Sequence, residues 1–360
     1  MISLSANATS LLTGSYTYLI NVQSWLGDQL LSDDIPISSA SEETDRSLNV
    51  PERVIFTVPR LEGGMSWSPV AADHPLAANG QRLRVQLGIG DASSGEPEWL
   101  QRGWFVVQDT QIDGDQVSVT AAGLLTLIQE ARLISPFQPS GTLVSTLRGL
   151  IEPALTVLVD ANLADRSVPA GINYDDDRLG AVAELVDAWP ADMSVNPDGY
   201  LDVGPATQST TPVLALTNGT GGTIIKAAGA STRDGGFNAV VARGTATDGG
   251  QVQGVAYLGT GPKMYGGPFN PLPVPYFFSS PLLTTAAQCA QSAATVLARL
   301  QRQAGLQFQV DMVPNPAVQA GDVLTITTDD YTDLLVSVEA LRLPYTADGG
   351  SQSLTVRTVN

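Results

Sequence analysis

The sequence predicts a mainly β fold of the α+β class, and three observations carry that expectation. Glycine and proline number 35 and 23 in 360 residues, enough turn formers to separate many short strands. Charged residues make up 15% of the chain against 43% hydrophobic residues, so a large core is available. Most apolar runs alternate with period 2, as half-buried strands do, and few recur at helical spacing. Length alone suggests about two to three domains.

Residues 16 to 22 put Tyr16, Tyr18, Ile20 and Val22 on one face and Thr17, Leu19 and Asn21 on the other. Similar runs follow at Val54 to Val58, Leu83 to Ile89, Gly103 to Asp109 and Gln116 to Thr120. The last two flank Ile112-Asp113-Gly114-Asp115, where Asp-Gly marks a hairpin whose turn needs positive φ. Five strands in the first ~120 residues suggest a barrel or sandwich. Residues 61 to 81 carry Gly63, Gly64, Pro69, Pro75 and Gly80 without a clear period and are expected to form a long projecting loop.

From Ala122 the spacing turns helical, with Leu124, Leu127, Ile128 and Ala131 on one face. A second short helix is expected over 141 to 152, closed by Pro153, and a third from Asp176, whose carboxylate can cap it, to Pro190. Met193 to Val195, Asn196-Pro197-Asp198-Gly199 and Tyr200 to Val203 then read as strand, tight turn and strand. Together these form a small α/β module.

Residues 204 to 222, rich in Thr, Gly and Pro, are a linker or edge segment. Strands resume at Ala239 to Arg243 and Val252 to Leu258. Residues 259 to 282 hold four prolines between 268 and 275, which exclude a helix and a central strand. The longest helix follows over 284 to 304, capped by Thr284 or Thr285 and stopped by Gly305. Its apolar face is Ala286, Cys289, Ala290, Ala293, Val296, Leu297, Leu300 and Ala304, small enough at the N-terminal end to lie close on a sheet. Strands at Leu306 to Val310, Asp322 to Thr328, Leu334 to Arg342 and Ser353 to Val359 complete a second β domain. The division expected is 1–135, a first β domain, 136–205, the α/β insertion, and 206–360, a second β domain carrying the helix.

Thirty-six acidic against 18 basic residues give a formal charge of -18, which disfavours a surface that neutralises nucleic-acid phosphates or an anionic membrane. The N-terminus lacks a basic and apolar secretory signal, and no apolar run approaches the ~20 residues of a membrane span, so direct membrane insertion is not expected. Cys289 is alone, which excludes an internal disulfide and a cysteine-based metal cage. His74, the one histidine, sits in Asp-His-Pro-Leu without a Gly-x-Ser-x-Gly elbow elsewhere, so it is expected to be an ordinary loop residue. Asp175-Asp176-Asp177 lacks the alternating ligands and closing Glu of a calcium loop and fits helix capping. Asp329, Asp330 and Asp333 fit a solvated turn. Neither a dinucleotide-binding loop nor a P-loop is present. No catalytic, cofactor-binding or metal-binding residue is therefore assigned, and no cofactor is expected.

The least ordinary feature is the Pro-stiffened aromatic stretch within 259 to 282. It can fold back over its own domain. Alternatively, Tyr265, Phe269, Tyr276, Phe277 and Phe278 can anchor a neighbouring subunit, since aromatics on a stiff backbone lose little entropy on docking.

Three stretches resemble the phage tail hub family, which includes baseplate hubs of contractile phages, late control D-type proteins and minor tail proteins of actinobacterial siphophages. The first is Trp104-Phe105-Val106-Val107 to Leu127, strand, hairpin and strand entering a short helix. The second is Leu179 to Val203, where Asp-Ala-Trp-Pro runs into Met-Ser-Val-Asn-Pro-Asp-Gly-Tyr-Leu-Asp-Val. The third runs from Pro275-Tyr276-Phe277-Phe278-Ser279-Ser280-Pro281 through the long helix to Pro314-Asn315-Pro316 and Gly321-Asp322-Val323-Leu324. Their order and spacing carry the resemblance.

The resemblance implies two tube-type β-barrels separated by a small α/β insertion, with the long helix on the second barrel. It implies a homotrimeric ring in the virion, at the tail tip, that surrounds the exit channel for DNA and tape-measure protein. Its partners would be the distal tail protein ring, the tape-measure protein and the distal tip, spike or receptor-binding proteins, without sequence-specific nucleic-acid binding. No catalytic residues transfer from that family, and no lysozyme, peptidase or needle domain follows before Asn360. A non-enzymatic structural subunit is expected. The competing class is a carbohydrate-binding or cell-wall-degrading tail protein, which would present exposed aromatics and paired acids in a cleft.

Overall fold

Alternation decides which face of each N-terminal strand is buried. In the computed structural model, which describes residues 1–12, 14, 16–90, 96–206, 209–230, 233, 235–303, 306–346 and 349–359 apart from the side chains of 302 and 303, strands hold 42% of the chain and helices 14%. The fold is mainly β. Strands Gln29–Ser32, Thr17–Leu26, Gln81–Gly90, Glu98–Asp113, Gln116–Gly123, Glu52–Pro59 and Ser39–Asp45 lie side by side in that order, every pair antiparallel. Val22 faces Val85 and Phe56 faces Val119 across neighbouring strands, all four fully buried. Asp113 pairs with Gln116, and Gly114, with φ of 57°, supplies the left-handed residue of the turn between them.

The sheet does not stop with these seven strands. Ser41 to Asp45 pair antiparallel with Ala340 to Pro344, which carries the sheet on through Leu334–Pro344, Gln352–Thr358, Gln307–Met312 and Ile224–Ala230. Val323–Thr327 joins the other half of Leu334–Pro344, and Leu214–Thr217 pairs parallel with Val323–Thr327, making thirteen strands. One core serves both ends of the chain, with Val22, Phe56 and Leu83 packed in the same cluster as Val310, Leu324 and Val356. The expected barrel closure is not seen among the described residues. The sheet ends instead in Gln29–Ser32 on one side and Ile224–Ala230 on the other, with Leu214–Thr217 ending its branch, because Leu334–Pro344 spends its C-terminal half on Ser39–Asp45.

Residues 61 to 81 project only in part, at the exposed hairpin of residues 61–66. After a hairpin of Leu61–Glu62 and Met65–Ser66, the chain folds inward and buries Trp67 and Leu76. Ser24 Oγ donates to Pro75 O, Thr110 Oγ1 to Leu76 O, and buried Gln81 Nε2 to Ala72 O and His74 O. These contacts satisfy carbonyls that a periodless loop would otherwise leave to water.

Among the described residues, five helices interrupt the strands: α1 Ala6–Leu11, α2 Leu125–Glu130, α3 Leu143–Ile151, α4 Arg178–Ala188 and α5 Ala286–Gln303. Thr142 and Ser145 form a reciprocal capping box on α3. Asp177 caps α4 by accepting from Gly180 N, one residue later than the Asp176 cap expected. Thr285 caps α5, and the Gly305 stop lies outside the described residues.

Helices α2 to α5 share a second core with two small sheets. One runs Val157–Val159, Leu201–Pro205, Ala191–Val195 and the other Gln251–Tyr257, Ala239–Thr245, Pro275–Ser279. The long helix thus covers a three-stranded sheet rather than the thirteen-stranded one. Its buried line is Cys289, Ser292, Ala293, Val296 and Leu297, whereas Ala286 and Ala290 are exposed. The helix backbone comes so close at Gly254 that a Cβ there would lie 2.5 Å from Cys289 C.

Candidate functional site

The aromatic stretch is held by its own sheet before it can touch anything else. Asn238, fully buried, accepts from Val274 N at 2.7 Å through its side chain, and its backbone N–H donates to Val274 O. That clamp starts the edge strand Pro275–Ser279, which runs parallel to Ala239–Thr245 and places its proline at the first position.

Alternation then divides the aromatics. Phe278 points inward and is half-buried against the second core. Tyr276 meets Phe237 edge-on at 5.4 Å, and Phe269 lies half-buried beneath the Arg233 guanidinium, 4.3 Å from its ring centroid. Phe277 turns outward, 58% exposed, under the Arg243 guanidinium at 5.0 Å. Tyr265 stacks on Tyr257 at 4.6 Å, and both are exposed. Of the five residues singled out, Tyr265 and Phe277 therefore present most surface. Tyr257, on the neighbouring strand, escaped the sequence reading because it lies outside the Pro-rich stretch.

A second arrangement lies between the two cores. Arg102, on Glu98–Asp113, donates to both oxygens of Glu42 at 2.7 and 2.8 Å and also to Pro316 O and Val318 O. Tyr345 donates to the same Glu42 carboxylate. Burial alone would push the Arg102 guanidinium down, but the Glu42 charge and hydrogen bonds hold it well above its ordinary value. Burial likewise pushes the Tyr345 and Tyr18 hydroxyls up. This cluster ties the first-domain strands to the turn before Val323–Thr327. Beside it opens a cleft of about 780 Å³, walled by Glu52 and Thr44 on one side and α4 with Ala191–Val195 on the other.

The remaining sequence candidates have structural partners. His74 Nδ1 accepts from Leu76 N at 3.0 Å and its ring packs edge-on to Trp67, so it fixes the inward-folded loop. Asp177 caps α4, and Asp333 binds Thr327 in an exposed turn. Among the described residues, no three acidic, histidine or cysteine side chains converge as a metal ion needs, and no helix is long and apolar enough to cross a membrane.

Solved structures share this fold over nearly the whole chain. The fold is that of phage tail proteins. A tail protein from Neisseria meningitidis MC58 matches with TM-score 0.65 and 14% identity over 95% of this chain and 97% of the other. The 43 kDa tail protein of prophage MuSo2 from Shewanella oneidensis gives 0.61 and 12% over 95% and 98%. The Escherichia coli c3393 protein, a type VI secretion component described as similar to T4 tail proteins gp27 and gp5, gives 0.50 and 9% over 96% and 77%. No protein-family profile and no curated sequence matches the chain.

Proposed function

We propose that this chain is a structural, non-enzymatic hub subunit of a phage tail tip, three copies of which close a ring joining the tail tube to the distal tip. The observation that carries the reading is the thirteen-stranded sheet spanning both ends of the chain and left open at Gln29–Ser32 and Ile224–Ala230. Open strand edges invite pairing, and a head-to-tail ring removes them from solvent. Residues 1–135 and the sheet-forming parts of 206–360 would supply the ring wall, with the module of 136–205 set beside it. The ring would surround the channel taken by DNA and tape-measure protein and contact the distal tail ring above and the tip or receptor-binding proteins below. The formal charge of -18 per copy suits a wall to which transiting DNA does not adhere.

Tyr265 and Phe277, with Phe269, Tyr276 and Phe278 supporting them, would anchor contacts between subunits. Replacing Tyr265 and Phe277 together by Ala is expected to lower yields of assembled tails about tenfold to a hundredfold, the loss of two anchors worth about 1 kcal/mol or more each. The isolated fold should be unaffected, because both rings are exposed. Normal assembly by this variant would confine the segment to local packing. Tail-tip imaging tests the hub reading itself, and turbidity loss when purified protein meets host cell walls would favour a wall-degrading protein instead.

A further inference from the structure

Carboxylates lining the inter-core cleft are matched one by one, with a single exception. Glu42 is held by Arg102 and Tyr345, and Asp187 is paired with Arg299 of α5. Asp192 lies 3.7 Å from Arg46. Asp202 accepts from Asn196 Nδ2, and Asp322 takes the N-terminal amine and Gln319 N–H. Among the described residues Glu52 has no side-chain partner of that kind. Its Oε2 is shielded without a hydrogen bond among the described residues, and the side chain lies across Gly123 of the neighbouring strand, where a Cβ would collide first with Oε2 itself.

That position disfavours the charged form. Burial pushes the Glu52 carboxyl up to about 7 against the pull of its own backbone N–H, and the neighbouring Glu42 charge adds to the rise. A buried carboxyl is relieved either by holding its proton or by gaining a cation.

We propose that the cleft receives one Lys or Arg side chain from a neighbouring protein chain, whose cationic head pairs with Glu52. Six acids, Glu42, Glu52, Asp187, Asp192, Asp202 and Asp322, line the space against Arg46, Arg102, Arg299 and the N-terminal amine held by Asp322, so an acidic excess remains that suits a basic segment. The volume of about 780 Å³ exceeds one side chain and admits the backbone that carries it. The unmatched group is a single carboxyl rather than a convergent set, which suits a monovalent organic cation. The inference stands apart from the ring, since it uses no sheet edge and no residue of the aromatic stretch.

The probe is the blocked tripeptide acetyl-Gly-Arg-Gly-amide, titrated into full-length protein carrying 13C-labelled Glu carboxyls and followed by NMR. Binding is expected to lower the Glu52 titration midpoint. It should be about thirtyfold weaker at pH 5.5 than at pH 8, because the cation must displace the proton. Glu52→Gln should abolish peptide binding at pH 8 while folding at least as well as the parent in urea. The sign follows from the raised folded-state value: the contribution of Glu52 to stability is full below the ordinary carboxylate range and lost as pH rises toward 7. An unmoved Glu52 titration, or equal binding by the Gln variant, would overturn the proposal. Equally tight binding of n-butylguanidinium would also overturn it, by assigning the site to a free small cation.

Discussion

Replacing Arg102 by Ala will destabilise the chain by about 3–5 kcal/mol, because it strands a buried carboxylate instead of removing a surface charge. Arg102 and Glu42 are 2% and 5% exposed at their side chains, and solvent cannot take over when the guanidinium is lost. Four contacts disappear together, two to Glu42 and one each to Pro316 O and Val318 O. The last two join segments more than 200 residues apart, so the loss should appear as weaker cooperativity between the ends of the chain. Urea denaturation checks the magnitude. The triple variant Glu42→Leu, Arg102→Met, Tyr345→Phe should recover most of the loss, since the Glu42 carboxylate is then removed together with its guanidinium and hydroxyl partners. A deficit below about 1 kcal/mol in the single variant would show that water or relaxation compensates Glu42.

The second large effect is expected at Gly254, where α5 rests on its sheet. A side chain there must displace helix backbone, because its Cβ would sit 2.5 Å from Cys289 C and 2.6 Å from Ala290 Cα. Gly254→Val should cost about 3 kcal/mol, the upper end of overpacking, and loosen α5 from Gln251–Tyr257. Hydrogen exchange across Ala286–Gln303 would report the loosening. Gly259→Ala is the control, since nothing lies within 4 Å of its Cβ position, and it should change stability by no more than about 0.5 kcal/mol. Equal behaviour of the two variants would contradict the close approach.

Period 2 made Thr17–Leu26, Glu52–Pro59 and Gln81–Gly90 legible because each buries one face on a single core. Ile224–Ala230 escaped for the opposite reason. Ile-Ile-Lys-Ala-Ala-Gly-Ala lacks alternation, its residues beyond Ile224 are exposed, and its strand state comes from pairing with Gln307–Met312. Residues 61 to 81 looked like a projecting loop because Gly and Pro report turns but not where the chain goes between them. The inward path depends on Ser24 and Thr110, which belong to other strands, and on Gln81 at the segment's own end.

Non-local pairing also limited the reading of the site. The aromatic stretch was visible from composition, yet only the strand Pro275–Ser279 decides that Phe277 turns out and Phe278 turns in. Glu52 sits at the start of a regular strand and carries no local mark. Its isolation follows from Arg102 being taken by Glu42, a pairing across 60 positions that no window of sequence contains.

The most direct test is a tail-tip map of assembled particles at a resolution that separates subunits. Three copies in a closed ring, with Gln29–Ser32 of one subunit facing Ile224–Ala230 of the next and Tyr265 and Phe277 buried between chains, is the predicted result. One copy, six equivalent copies, or a position away from the tube axis would contradict it.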